Sequence, residues 1–506
     1  MIESKRTIPA IVVGFAALLA GFCGICSLPF GPLQIVFAVI WLWATIAFAL
    51  FVRVRGTERK LMEGAMYVFV ASTFLNQLFL NLSTPFFTLF PYRVMFLVCL
   101  AVFLVSAIKS GVPGRLWQAL QAKSSVYFLL CWLGYAAVSL IWSWSVMDGI
   151  KSFFLLFLGI VFVLMAVFIF TDLGRLRVYA NIWMVMTLLL LAFGLVNVVA
   201  HVQLLTSSLY GGPVYKLGFP TAVFINQNDF AAFLSVAFFF YLAYAKNNFH
   251  KPFGPTALLP AGLSLLLIFL TQSRASLLGI FAGLLVYGFL LLPNRFKKPV
   301  LWAGGVVLVA GLMLAMPKLI GKMNTFFNPP AGYSPNAVPT SNSVRVRLLQ
   351  NTAHYLIDSY GFGVGPGNLS YYLEREPFYD TNGIFEVHNW IAEIFGNFGI
   401  LIGTGYLLMY SGLFVSLYRL YRLRAGRLGR QLIETCMTAQ AAFLVSSISP
   451  SSVSNLYFHW VFLGFVICSV SVLKNRAAGY RFEANEGGAS WTSCEAWPKE
   501  QKSLSG

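Results

Sequence analysis

The stretch SFFLLFLGIVFVLMAVFIF, residues 152–170, runs for nineteen positions without a charge. That is close to the ~20 apolar residues an α-helix needs to cross the hydrocarbon core of a bilayer. It is one run of many. Similar stretches occupy about 8–26, 33–52, 64–82, 92–108, 126–142, 178–199, 225–245, 256–270, 275–292, 300–316, 397–418, 432–448 and 458–473, about fourteen in all (12–14). The first resembles a signal peptide, but a second span follows almost at once and no A-x-A-like cleavage site separates them, so it reads as a retained helix. The expected fold is an all-α polytopic membrane protein. A membrane domain over residues 1–473 carries one large extracytoplasmic loop at about 317–389 with short helices inside it. Residues 474–506 read as a disordered cytoplasmic tail.

Composition agrees with the hydropathy. The 506-residue chain is 58% hydrophobic and 10% charged, outside the balance of soluble domains. Its net charge of +18 is not the basic face of a nucleic-acid-binding protein, because the cations sit in short loops between apolar runs. With the N-terminus in the cytoplasm, 26 of the 35 Lys and Arg residues fall on the inner side, and five of the remaining nine lie in the large loop. This asymmetry places both termini in the cytoplasm and the loop outside, at the plasma membrane. Of the seven cysteines (Cys23, Cys26, Cys99, Cys131, Cys436, Cys468 and Cys494), none lies in the loop. Cys23 and Cys26 form a C-x-x-C inside an apolar run and read as packing residues.

The large loop opens with irregular Pro/Asn/Ser-rich chain, Asn328 to Asn342, followed by a helix-like stretch from about Ser343 to Ser359. Within it Arg347, Asn351, His354 and Asp358 form one polar stripe, whereas Arg345 shares a face with Leu349, Thr352 and Leu356. An arginine on the less polar face needs an anionic partner, since its charge cannot be shed. Arg345 is therefore the stronger phosphate-binding candidate, and Arg347 suits a solvated or surface-network role. Arg274, in Thr271-Gln-Ser-Arg274 at a span boundary, has the hydroxyls of Ser273 and Ser276 and a helix N-terminus beside it. It reads equally well as a snorkelling interface arginine. Lys216 is a weaker cationic candidate in an outer loop.

His388 stands where the loop re-enters the membrane, after Glu386 and at the head of His388-Asn389-Trp390-Ile-Ala-Glu393. Histidine can take a proton near neutral pH and so suits activation of a hydroxyl nucleophile, and Asn389 and Glu393 can orient neighbouring groups. A structural interface histidine is the alternative. Asn226-Gln-Asn228-Asp229 interrupts an apolar region; Asn228 and Asp229 can position a sugar or satisfy broken helix ends. The glycine cluster Gly361-Phe-Gly363-Val-Gly365-Pro-Gly367 lacks the spacing and lysine of a phosphate-binding loop and reads as a tight turn allowing close backbone approach. His354, Asp380, Glu386 and His388 match no metal-ligand spacing, so no metal and no other cofactor is expected.

Taken together, Asn226 to Phe230, Thr271 to Arg274, Arg345 through the Gly363–Gly367 turn, and His388-Asn389…Glu393…Gly399 resemble the O-antigen ligase and polymerase family of bacterial envelope enzymes. The ending Ser449-Pro-Ser-Ser-Val-Ser-Asn455 looks most like its teichuronic-acid polymerase branch. The resemblance covers roughly residues 219–405. It implies a metal-independent glycosyltransferase that uses a polyprenyl diphosphate-linked oligosaccharide (undecaprenyl diphosphate in bacteria), with polymerisation of repeat units on the outer face of the membrane. Arg345 and Arg274 would bind the diphosphate, and His388 would orient or deprotonate the acceptor hydroxyl. A flippase and a chain-length regulator are the partners it suggests, with no nucleic acid. One departure is Ile402, where the ligase motif has a small or hydroxyl residue three positions after the glycine matching Gly399. Ligase-type transfer of a finished glycan, and a flippase or transporter needing a charged central cavity, are the alternatives.

Overall fold

The computed structural model describes residues 58–75, 82–83, 88–110, 117–327, 341–423, 425–450, 452, 456–485 and 488–493. The first two expected spans, Cys23, Cys26, Asn76, Gln77, Asn81, Cys494, the irregular segment 328–340, Ser451 and 453–455 lie outside them. The described chain is helical apart from two short antiparallel hairpins. Its elements are α1 (Glu58–Thr73), β1 (Leu82–Ser83), β2 (Thr88–Leu89), α2 (Pro91–Ser110), α3 (Lys123–Ser139), α4 (Val146–Ile169) and α5 (Leu173–Ala200). They continue with the single turn α6 (Val214–Leu217), α7 (Gln227–Asn247), α8 (Leu258–Leu270), α9 (Arg274–Leu291) and α10 (Asn294–Phe327). After α11 (Ser341–Asp358) and α12 (Asn368–Arg375) come α13 (Trp390–Tyr421), α14 (Arg427–Ser446), α15 (Tyr457–Ala477), β3 (Tyr480–Asn485) and β4 (Gly488–Ser493).

Six of these helices, α4, α5, α7, α9, α13 and α15, are long and apolar enough to cross a membrane, and the chain is an integral membrane protein. Each apolar run expected from residue 64 onward contains a helix, with shifted ends. Helix α1 runs from Glu58 to Thr73, and its charged first turn, Glu58-Arg59-Lys60, precedes the apolar run that hydropathy marks. Helix α10 continues past the expected end of its span to Phe327. Beyond α15, strands β3 and β4 pair with Tyr480 opposite Ser493. Their Tyr, Phe, Trp and Thr residues are strand formers.

Short polar side chains mark where the helices start. Ser145 accepts a hydrogen bond from the Asp148 amide at the head of α4, and Asp172 accepts one from the Arg175 amide at the head of α5. Asn226 accepts from the amides of Asn228 and Asp229 at α7, and Asn389 from Ala392 at α13. These caps satisfy amides that have no partner within the helix.

Helices α7 and α15 form the interior, with 83% and 94% of their apolar windows buried, against 33% for the peripheral α9. Helix α14 packs against α9, α7 and α13, while α15 packs against α4. Close packing depends on missing side chains: a Cβ on Gly159 would sit 2.3 Å from the Trp460 indole. At one end, the fully buried Glu434 accepts from Lys246 Nζ at 2.5 Å and Asn247 Nδ2 at 2.6 Å, and lies 3.4 Å from Arg430 Nε. A buried carboxylate requires such partners. At the other end α11, α12 and the glycine turn rest on the first half of α13.

Candidate functional site

Helix α13 is broken at Gly399, whose φ of 77° and ψ of −177° are closed to a residue with a side chain. The break exposes backbone groups that an unbroken helix would pair internally. The glycine turn supplies partners: Val364 N donates to Gly396 O and Gly365 N to Asn397 O, both at 2.9 Å, and Ile400 N donates to Gly361 O at 2.8 Å. The approach is close enough that a Cβ on Gly363 would lie 2.5 Å from Gly399 N. Tyr135 and Trp142, from α3 and the turn after it, donate to the carbonyls of Phe362 and Gly363. The turn is thus a backbone plug in a helix break.

This interlock fixes the start of α13, and with it His388 and its neighbours. Trp390 N donates to Ser447 O at 3.0 Å. His388 takes a left-handed backbone (φ 52°), and its Nδ1 is buried with no hydrogen-bond partner among the described residues. Burial and the nearby Arg345 guanidinium hold the imidazole below its ordinary pKa of 6.5, while the carbonyls of Ser449 and Pro450 pull the other way. Glu393, one turn into α13, accepts from Ser452 Oγ at 2.9 Å. Asn389 spends its side-chain oxygen on the helix cap.

Arg345 is half-buried on α11 and has neither an ion pair nor a hydrogen bond among the described residues. Burial weighs against its charge. On the same face Thr352 packs against Gly396, so this side of α11 looks onto the broken helix. The polar stripe has a different use. Arg347 Nη1 donates to Asp380 O at 2.8 Å, Asn351 exchanges hydrogen bonds with the backbone of Tyr379, and His354 stacks on Phe378. The stripe latches the segment leading to His388 onto α11. Arg347 is therefore placed as a strut.

The Thr271–Arg274 turn reaches the same corner from another direction. Ser273 Oγ lies 3.1 Å from Ser276 Oγ and 3.4 Å from Ser449 Oγ, the residue whose carbonyl faces His388. Gln272 has a left-handed backbone (φ 59°), and Arg274 begins α9 with an exposed side chain that makes no ion pair among the described residues. Ser235 of α7 donates to Ser446 at 2.9 Å, which brings α7 to this corner too. Asp229 is buried at the head of α7 in a hydrogen bond with Asn226, and Asn228 is half-buried beside it. Lys216 lies apart, its ammonium 5.7 Å from the Tyr215 ring.

The serines were the residues missed. Ser449 and Ser452 lie in a Ser-rich turn just before a span, which sequence alone marks only as a family feature. Among the described residues no three His, Cys, Asp or Glu side chains are gathered as a metal set. Beside the glycine turn, Trp142, Tyr355, Asp358, Tyr372, Glu376 and Phe378 line a cavity of about 380 Å³ on the far half of α11.

The electrostatic coupling is directly measurable. NMR titration of the His388 ring in the full chain is expected to give a midpoint below 6.5. Arg345→Gln should raise it, because removing the guanidinium removes a charge that opposes protonation. Identical midpoints in the two proteins would show that the groups do not interact.

Comparison with known proteins places these features in a known setting. A family model described as O-antigen ligase matches residues 259–409, from the first turn of α8 to the middle of α13, a segment that holds Arg274, Arg345, His388 and the glycine interlock. The teichuronic acid biosynthesis protein TuaE of Bacillus subtilis (strain 168) is 42% identical over 421 residues, covering 83% of this chain and 86% of that protein.

Proposed function

We propose that this chain, which belongs to the O-antigen ligase family, polymerises oligosaccharide repeat units carried on a polyprenyl diphosphate. The product is a cell-envelope polysaccharide of the teichuronic-acid kind, assembled on the outer face of the cytoplasmic membrane. One observation carries the reading: an unpaired, half-buried arginine stands beside a half-buried histidine with a buried Nδ1, where a broken membrane helix meets its covering loop. In this reading both termini are cytoplasmic, the chain has about fourteen spans, and the lipid tail of the donor lies in the bilayer.

The chemistry balances without a further reactant. The acceptor hydroxyl oxygen attacks the anomeric carbon of the donor glycan, and the bond from that carbon to the diphosphate oxygen breaks. Polyprenyl diphosphate leaves with the bonding electron pair, and the hydroxyl proton passes to the neutral His388 imidazole. Arg345, supported by Arg274, stabilises the charge gathering on the leaving diphosphate. Ser449 and Pro450 hold the imidazole through their carbonyls, and Glu393, Asn228 and Asp229 supply polar groups for sugar hydroxyls. Movement of the lipid-linked unit to the outer leaflet must precede this step, which is where a flippase would act, whereas a length regulator would act on elongation itself.

The test uses the purified full chain in proteoliposomes loaded with the host's own lipid-linked repeat unit. Products in a ladder of one-repeat steps are expected, with release of polyprenyl diphosphate. A single transfer of a preformed glycan to a different acceptor would identify a ligase instead. Passage of the unit across the bilayer with no new glycosidic bond would identify a transporter and sink the polymerase assignment.

A further inference from the structure

A second feature lies at the other end of the bundle. Helices α3, α13 and α15 leave a groove of about 400 Å³ between them, within the range of small-molecule sites. Its walls are Phe128, Gly405, Leu408, Gly412, Ser416 and Lys474. Lys474 is in the last turn of α15, 17 residues after Tyr457, so the groove's mouth is about 25 Å along that helix from the end nearest the candidate site.

The charges there share one sign. Lys474 and Arg476 close α15, Arg419 closes α13, and Lys123 opens α3. Arg419 is near enough to Lys474 to repel it. Among the described residues, no carboxylate lies within ion-pair reach of any of the four. Below the cations one side of the groove is apolar, with Phe128, Leu408, Met409, Leu413 and Val470, while Ser124, Ser125 and Ser416 add hydroxyls, and Gly412 faces open space: a Cβ there would meet no atom within 4 Å. A cationic rim, hydroxyls beneath it and an apolar strip running on along a membrane helix match a molecule with an anionic, hydrogen-bonding head and an acyl chain.

We propose that this groove binds an anionic phospholipid, with its phosphate at Lys474 and Arg419 and an acyl chain lying along Phe128, Leu408 and Gly412. A neighbouring apolar helix would fill the cleft but leave the rim cations without a counter-charge. The donor's diphosphate is drawn to the opposite end by Arg345.

Native mass spectrometry and thermal unfolding of the full chain in detergent test the assignment, with dioleoyl-phosphatidylglycerol, dioleoyl-phosphatidylcholine or glycerol 1-phosphate added. Phosphatidylglycerol is expected to remain as a bound adduct and to raise the unfolding temperature more than phosphatidylcholine does. Glycerol 1-phosphate should have no effect, which separates a lipid from a free phosphate. Lys474→Gln should weaken the phosphatidylglycerol adduct about fivefold. Gly412→Leu adds a good helix former in open space, so the chain folds while the acyl path is filled and the adduct is lost. Equal retention of the two lipids by the parent, or full retention of phosphatidylglycerol by Gly412→Leu, would overturn the assignment. So would a dimer that only Gly412→Leu dissociates. None of these readouts depends on transferase activity, so they stand apart from the function proposed above.

Discussion

Replacing Arg345 by alanine is expected to slow chain elongation by roughly 10²–10³-fold, the usual loss when one preorganised group that stabilises a leaving charge is removed. The size follows from the surroundings. Arg345 is half-buried and makes no ion pair among the described residues, so its charge is uncommitted until a donor arrives. A lysine at this position keeps the charge but loses the planar fork that holds two phosphate oxygens together, so Arg345→Lys should fall between parent and alanine. His388→Ala should cost a comparable ~10²–10⁴-fold through loss of the proton acceptor. The proteoliposome ladder reads all three, with membrane insertion checked separately. Parental ladders from both alanine variants would remove this pair from the mechanism.

Gly399→Ala should act on the fold itself. The backbone there lies in a region that only glycine enters readily, and the new Cβ would lie 2.2 Å from Gly361 O. Strain of ~1–3 kcal/mol and overpacking of a similar size combine to about 4 kcal/mol. That is a large part of the 5–15 kcal/mol by which proteins of this kind are usually stable. The expected result is a sharply lower unfolding temperature in detergent, together with loss of elongation. Gly304→Ala is the control, since a Cβ there meets nothing within 4 Å and alanine is the better helix former, so it should leave stability unchanged or raise it by up to ~1 kcal/mol. Equal unfolding temperatures for the two variants would mean that the interlock does not hold this end of the molecule together.

Much of this end was legible in the residue pattern. The helix expected at about Ser343 to Ser359 is α11, and the face that separates Arg345 from Arg347 is real, because helical periodicity depends only on local spacing. Its use was less legible. Arg347, Asn351 and His354 read as one polar stripe, with a solvated or surface-network role for Arg347, and what they bind is the backbone of Tyr379 and Asp380 and the Phe378 ring, which lie 24 to 33 positions away in the chain. The glycine cluster read as a site of close backbone approach; what it approaches is the break at Gly399, hidden inside an apolar run that hydropathy treats as continuous. Ser449 and Ser452 carry no charge or period to single them out, and only folding sets them beside His388 and Glu393.

The backbone bonds from Gly361, Val364 and Gly365 into the gap in α13 also constrain how the molecule moves. A flap that opened over the site would have to strip three main-chain hydrogen bonds at once inside a low-dielectric setting, where each unmet group is expensive. The loop and the first half of α13 therefore travel as one rigid body. Under the proposed function a lipid-borne substrate would enter sideways from the bilayer, along helix faces, and the part left to give way is the Phe378–Asp380 strap, held to α11 through the side chains of Arg347, Asn351 and His354.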